Sequence, residues 1–211
     1  MKSRIIQSAL LVAVVATSTF LVQCTVVKQM QQSMVNLQRC KFKLQNVANV
    51  KVAGISLAGK KSLSDFNLLD GAKLVSAFSS KSLPAELTLN VAASNPNDGT
   101  GGYPQTTATL VGFPWTLLID SKPTINGDIG GRPEIPGTGK STIIPLNTSL
   151  DLYSFFGDKG YEGVMNLALA LGGVNGSAAR LTLRGTPRIS TPLGDISYPQ
   201  PIEVIDREFR N

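Results

Sequence analysis

Gly139, Lys140 and Ser141 stand in the order of the second half of a phosphate-binding loop, G-x-x-x-x-G-K-[ST]. In that loop backbone N–H groups cradle the phosphates and the hydroxyl takes the magnesium at the start of a helix. The first half is missing, since Glu134 occupies the place of the leading glycine and its carboxylate repels phosphate. The residues that follow also disagree. "STIIPL" puts the β-branched Thr142, Ile143 and Ile144 and then Pro145 where a helix must run, and an interior proline costs a helix roughly 3 kcal/mol. "TLLID" at 116–120 mimics the strand-and-aspartate partner of such a loop but precedes it. The expectation is therefore a Gly-rich hairpin feeding a strand at Thr142–Leu150, with no nucleotide bound.

Other chemistry is narrowed by the absence of histidine, which removes the usual general base, the Ser-His and Cys-His nucleophile pairs and the commonest zinc ligand. Carboxylate-only chemistry is left, and the 14 acids are scattered along the chain. No catalytic residue, cofactor or metal site is expected. Only Cys24 and Cys40 are present, so either they pair in an oxidising compartment or one is modified and the other free. Cys40 lies beside Arg39, Lys41 and Lys43, which favours a reactive thiol; a small buried hydrophobe at the start of a strand is the plainer expectation.

Cys24 closes a stretch with its own logic. "MKSRIIQSALLVAVVATSTFLVQC" carries Lys2 and Arg4 ahead of an apolar run from Ile5 to Val22, the pattern of a secretory signal. "LVQC" resembles a bacterial lipobox, in which the cysteine is diacylated before cleavage; Leu21, Val22 and Cys24 fit, and Gln23 departs from the usual small residue. Three fates stay open: lipidation at Cys24, ordinary cleavage near Ala16–Ser18, and retention as an uncleaved anchor, the apolar run being about long enough to span a bilayer. The division taken forward is 1–23 signal peptide, 24–40 tether and 41–211 one folded domain, in keeping with a chain of 211 residues.

The formal charge is +6, and Lys28, Arg39, Lys41, Lys43, Lys51, Lys60 and Lys61 all precede Asp65, the first acid. Positive charge concentrated after an N-terminal anchor suits either anionic headgroups or a solvated face. No compact Arg/Lys run with interleaved aromatics points to nucleic acid.

The elements that hold these residues read mostly as strands. "KFKLQNVANVKVAGISLAG" alternates through Phe42, Leu44, Val50, Val52, Ile55 and Leu57; "ELTLNVAASNPND" alternates through Leu87, Leu89, Val91 and Ala93 and stops at Asn95-Pro96-Asn97. Pro96 fixes φ while the asparagine side chains bond nearby backbone, a strand-ending turn. Further strands are expected around Thr106–Phe113, in "PWTLLID" with Trp115, Leu117 and Ile119 on one face, and in "RLTLRGTPRIST" and "ISYPQPIEV". Helical spacing appears in Leu68, Ala72, Val75 and Phe78, with Asp70 as N-cap, near Asp151–Phe156, and from Glu162 to Leu171 with Val164, Leu167, Ala168 and Leu171 in phase. Many short strands with small helices predict a mainly β, antiparallel sandwich.

Taken together, "LTLNVAASNPN" at 87–97, "TATLVGFPWTLLID" at 107–120 and "IPGTGKSTIIPL" at 135–146 resemble the late-embryogenesis-abundant type 2 (WHy-domain) family over roughly residues 41–190. The resemblance implies an immunoglobulin- or fibronectin-III-like β-sandwich with small helical insertions, no catalytic residues, and a non-enzymatic role in dehydration or envelope stress. The expected protein is a bacterial envelope lipoprotein, anchored to the outer membrane through its N-terminal lipid, acting by binding or scaffolding on an unidentified protein or glycan. The rival expectations are a surface glycan- or protein-binding module and, remotely, a nucleotide hydrolase. Tyr103, Trp115, Tyr153 and Tyr161 discriminate the first two: exposed on one open face they favour recognition, buried they favour the scaffold.

Overall fold

The computed structural model describes residues 27–172, 180–191 and 194–205. Its first element, helix α1 at 27–39, holds no Gly or Pro, and places Val27, Met30, Met34 and Leu37 three, four and three residues apart. Only the later part of that stripe is docked: Leu37 is fully buried and Met34 packs on the core, whereas Val27 and Met30 are exposed. The segment before 41, expected as a tether or short helix, is thus a helix whose later part packs on the domain. The apolar stripe is the physical reason.

Strand β1 (Lys41–Val52) turns into β2 (Ile55–Ser56) through Ala53 and Gly54, both at positive φ, as a two-residue hairpin requires. Helix α2 (Leu68–Ser79) precedes β3 (Pro84–Ser94), β4 (Ala108–Gly112), β5 (Trp115–Ile119), β6 (Lys122–Gly127), β7 (Glu134–Ile135) and β8 (Ser141–Asp151). Helices α3 (Leu152–Phe156) and α4 (Gly160–Leu171) follow, then β9 (Leu181–Gly185), β10 (Arg188–Thr191), β11 (Gly194–Ser197) and β12 (Ile202–Ile205).

The protein is mainly β. Three four-stranded sheets run in the orders β2-β1-β3-β8, β11-β10-β4-β7 and β12-β9-β5-β6, and every pairing is antiparallel. Alternation works as the sequence implies: Leu87, Leu89, Val91 and Ala93 of β3 and Trp115, Leu117 and Ile119 of β5 enter one shared core. Helix α4 buries Val164, Leu167, Ala168 and Leu171 against it. β3 is the long axis of the first sheet: Lys41 pairs with Ser94 at one end, and Pro84 pairs with Asp151 at the other. Its neighbour β8 is an edge strand with Pro145 in its middle, opposite Asn90. Proline has no N–H, so this position faces the open side of the ladder.

Helix α2 forms where periodicity places it but turns the other way. Asn67, rather than Asp70, is the N-cap, accepting from the Asp70 N–H at 2.8 Å. The expected apolar stripe lies largely outward: Leu68 is 87% exposed and Val75 49%, while Leu74 is the buried residue. Phe78, the last residue of that stripe, does pack inward, its ring meeting Tyr153 at 5.0 Å and Tyr161 at 5.6 Å, and with Leu74 it sets the rotation of the helix.

Candidate functional site

Asn95-Pro96-Asn97 follows β3, with both asparagines buried, Asn95 0% and Asn97 1% exposed, and Pro96 half-buried between them. The Asn95 amide donates to the carbonyls of Thr106 at 2.7 Å and Ile135 at 3.0 Å, and its Oδ1 accepts from the Asn97 N–H at 3.1 Å. The Asn97 amide donates to Asn95 Oδ1 at 2.7 Å and to the Asn36 carbonyl of α1 at 3.0 Å. The short turn therefore joins four segments: β3, the approach to β4, the end of β7, and α1. Tyr198 adds a second hold on α1, donating from Oη to the Gln38 carbonyl at 3.2 Å.

The phosphate-loop lookalike packs onto this hub. Gly139, at φ +69°, donates its N–H to the Asn95 carbonyl at 2.9 Å, the Thr138 N–H goes to the Pro136 carbonyl at 2.8 Å, and that of Lys140 to Thr138 Oγ1 at 3.4 Å. N–H groups that would cradle a phosphate are thus committed within the protein. Gly137 is required for another reason: a Cβ there would sit 2.2 Å from the Asn97 carbonyl oxygen and 2.5 Å from that of Thr106. The chain then enters strand β8 at Ser141.

Beside the hub, the Arg39 guanidinium lies 3.6 Å over the Tyr103 ring, a cation–π contact. Arg39 Nη1 and Asn97 Oδ1 are buried without a hydrogen-bond partner. Cys40 is buried and free, its Sγ donating to the Asn36 carbonyl at 3.5 Å. Burial pushes its thiol up to about 11, against a smaller opposing pull from Arg39. It is the small buried hydrophobe the sequence suggested. Cys24 and the segment 1–23 expected as a signal peptide lie outside the described residues.

A second feature had no sequence signal. A shallow cavity of about 430 Å³ opens on the outer face of the first sheet, lined by Asn49, Lys51, Glu86, Thr88, Asn147 and Ser149 among others. Asn49 donates to Thr88 Oγ1 at 3.3 Å, and Thr88 donates to Asn147 Oδ1 at 2.8 Å, so one polar chain crosses β1, β3 and β8. The register of β1 on β3 shifts between Ala48 and Lys51, with Asn49 at φ 55°; such bulges re-aim side chains. Strict alternation cannot disclose this, because an irregularity of pairing brings Asn49 over Thr88.

Among the described residues no group of three or more His, Cys, Asp or Glu is placed to hold a metal, and no helix is long and apolar enough to cross a membrane. No family model matches the chain, and no curated protein matches it. Among solved structures it is similar to the crystal structure of a protein from Archaeoglobus fulgidus, at 9% identity over 59% of this chain and 87% of that one, TM-score 0.29. It is also similar to the X-ray structure of a structural-genomics target, at 11% identity over 81% and 89%, TM-score 0.37. A solution structure from Arabidopsis thaliana matches at 15% identity over 58% and 68%, TM-score 0.33.

Proposed function

We propose that this chain is a lipid-anchored bacterial envelope protein whose immunoglobulin/fibronectin-III-like sandwich, resembling the late-embryogenesis-abundant type 2 domains, acts by scaffolding without catalysis. The observation that carries the reading is where the aromatics go. Trp115 is 4% exposed, Tyr103 lies under Arg39, and Tyr153 and Tyr161 pack on Phe78. Trp115 is buried and the three half-buried tyrosines sit in ring contacts at separate places, which argues against one open recognition face. Docking of the α1 end on the hub adds to it, because a scaffold gains from a fixed angle between its anchor and its domain. The proposed anchor is lipid on Cys24, at the outer membrane; two acyl chains hold a protein stably where one does not. The test is metabolic labelling with a clickable palmitate in wild type and Cys24→Ala, with a mass measurement of the mature N-terminus. Absence of label in wild type, or a terminus near Thr19, removes the lipid anchor.

A second reading, a glycan- or protein-binding module, is favoured by the polar cavity over Asn49, Thr88 and Asn147. Glycan-array binding by the full chain that is lost in Asn147→Ala would move the assignment to recognition. Binding unaffected by that substitution would leave the cavity as a solvated face. The nucleotide reading is not carried forward, because the N–H groups of Thr138, Gly139 and Lys140 already have acceptors.

A further inference from the structure

Helix α2 carries the most exposed large apolar side chains described, Leu68 at 87% and Leu69 at 82%, adjacent to one another at its start. Val75 extends the same face along the helix, and Ala72, Ser76 and Ser79 are exposed beside it. Such a concentration on one small element is unlike the scattered single leucines of ordinary surfaces. The surrounding charge is basic: Lys60, Lys61, Lys73 and Lys81 stand against Asp65 and Asp70 in the segment 60–81. Asp65 is turned onto its own loop, accepting from the N–H groups of Lys61 at 2.6 Å and Ser62 at 3.0 Å. Lys73 is four residues after Leu69, hence its neighbour on the helix surface.

A second copy of the chain fits this face poorly. A stable protein interface engages about 20–30 residues a side, whereas the outward face of α2 offers Leu68, Leu69, Ala72, Val75, Ser76 and Ser79. A lipid surface needs less: a few apolar side chains that enter the interface and cations that meet anionic headgroups. Position then says which surface. Helix α2 leads into Pro84 at one end of β3, and Lys73, four residues after Leu69, reaches Gly54 in the β1–β2 hairpin beside that end, whereas α1 docks at Asn97, beyond the other end. Eleven residues separate these ends, on the order of 36 Å at about 3.3 Å per residue. From the docked Asn36 back to Val27, α1 spans only about 14 Å at about 1.5 Å per residue, less than that separation, so a membrane holding the N-terminus, as proposed above, lies apart from Leu68 and Leu69.

We propose that Leu68 and Leu69, framed by Lys60, Lys61 and Lys73, dock on an anionic lipid surface other than the one that holds the N-terminus. The domain is then a spacer with a lipid contact at each end. The inference rests on the N-terminal anchoring proposed above, and the experiment separates the two. Full-length chain is reconstituted into phosphatidylcholine vesicles, and fluorescent vesicles containing phosphatidylglycerol, or phosphatidylcholine alone, are added and recovered by flotation. Wild type should recruit the anionic vesicles about tenfold above protein-free controls. The double variant L68S/L69S should fall to the control level with its melting temperature unchanged, both residues being exposed. K60Q/K61Q/K73Q should erase the preference for anionic over neutral vesicles.

Recruitment that survives L68S/L69S overturns the proposal, as does no recruitment while the chain floats with its own vesicles. Clustering of the reconstituted vesicles without a second population assigns α2 to a second copy and also overturns it. Should the wild-type chain not stay with its first vesicles, the anchor fails. Docking is then read from the chain added directly to anionic vesicles, where leucine-dependent flotation supports it and leucine-independent or absent flotation overturns it.

Discussion

The side-chain amide of Asn97 donates to the main-chain carbonyl of Asn36 at 3.0 Å, across 61 positions of sequence. One hydrogen bond so placed converts a strand-ending turn into the clamp that holds the N-terminal helix. It carries the first expectation.

Asn97→Ala should destabilise the protein by about 1–3 kcal/mol, because buried groups lose their partner. In a chain of this size that corresponds to roughly 2–4 °C of melting temperature per kcal/mol. Hydrogen exchange of the docked part of α1, residues 33–39, should rise more than that of β3. Exchange that rises equally everywhere would show that the clamp is not local.

Gly137→Ala and Lys140→Ala should separate sharply although they are neighbours in the lookalike loop. A methyl at 137 meets the Asn97 and Thr106 carbonyl oxygens at 2.2 and 2.5 Å, so overpacking should cost about 1–3 kcal/mol or more. Lys140 is exposed, and its loss should stay within about 0.5 kcal/mol. Chemical denaturation measures both; equal effects would contradict this placement of the loop.

Asp151 should govern part of the acid limb of stability. Burial pushes its carboxyl up, yet donation from the Leu83 N–H, the Ser82 hydroxyl and the Ser154 and Tyr153 N–H groups outweighs that and holds it below the ordinary value. A carboxyl depressed on folding contributes stability that is complete above its unfolded value near ~3.9 and is lost as pH falls through the folded one. Asp151→Asn replaces a charged acceptor by a neutral amide and should therefore be less stable than wild type at pH 7, by about 1 kcal/mol, and should lose less on acidification. Urea midpoints at neutral and acid pH decide it; parallel losses would exclude Asp151 as a source.

Cys40 should resist alkylation in the folded protein. With its thiol pushed up to about 11, thiolate is scarce near neutrality, and burial blocks access as well. Peptide mapping after iodoacetamide should find residue 40 unmodified at pH 8 and modified once the chain is unfolded in urea. Rapid native modification would place the thiol at the surface.

The strands were legible because one face of each meets the core, so period-two spacing carries the information; β3 and β8 fall within a residue or two of their expected bounds. The hub was half legible. Asn-Pro-Asn announces a turn, but which distant carbonyls the two amides reach depends on how α1, β4 and β7 converge. For α2, spacing reveals a helix and the inward Phe78 but not Leu74, because the rotation depends on where Tyr153 of α3 and Tyr161 of α4 stand. The polar cavity depends on a pairing irregularity at Asn49, and β6, with Pro123 and Gly127 in six residues, carries no clear alternation.

Molecules concentrated in the plane of a membrane meet far more often than the same number in solution, and an unpaired eleven-residue strand is a template on which a neighbour's strand can grow. Pro145 interrupts that template on β8. Where the open ladder would offer a donor it offers a ring, so a second strand cannot zip along the edge without a gap. The same residue that spoils a phosphate-binding helix therefore makes this edge a poor template for a neighbour's strand. For the membrane-anchored scaffold proposed above, crowding would make that property matter as much as a stable core.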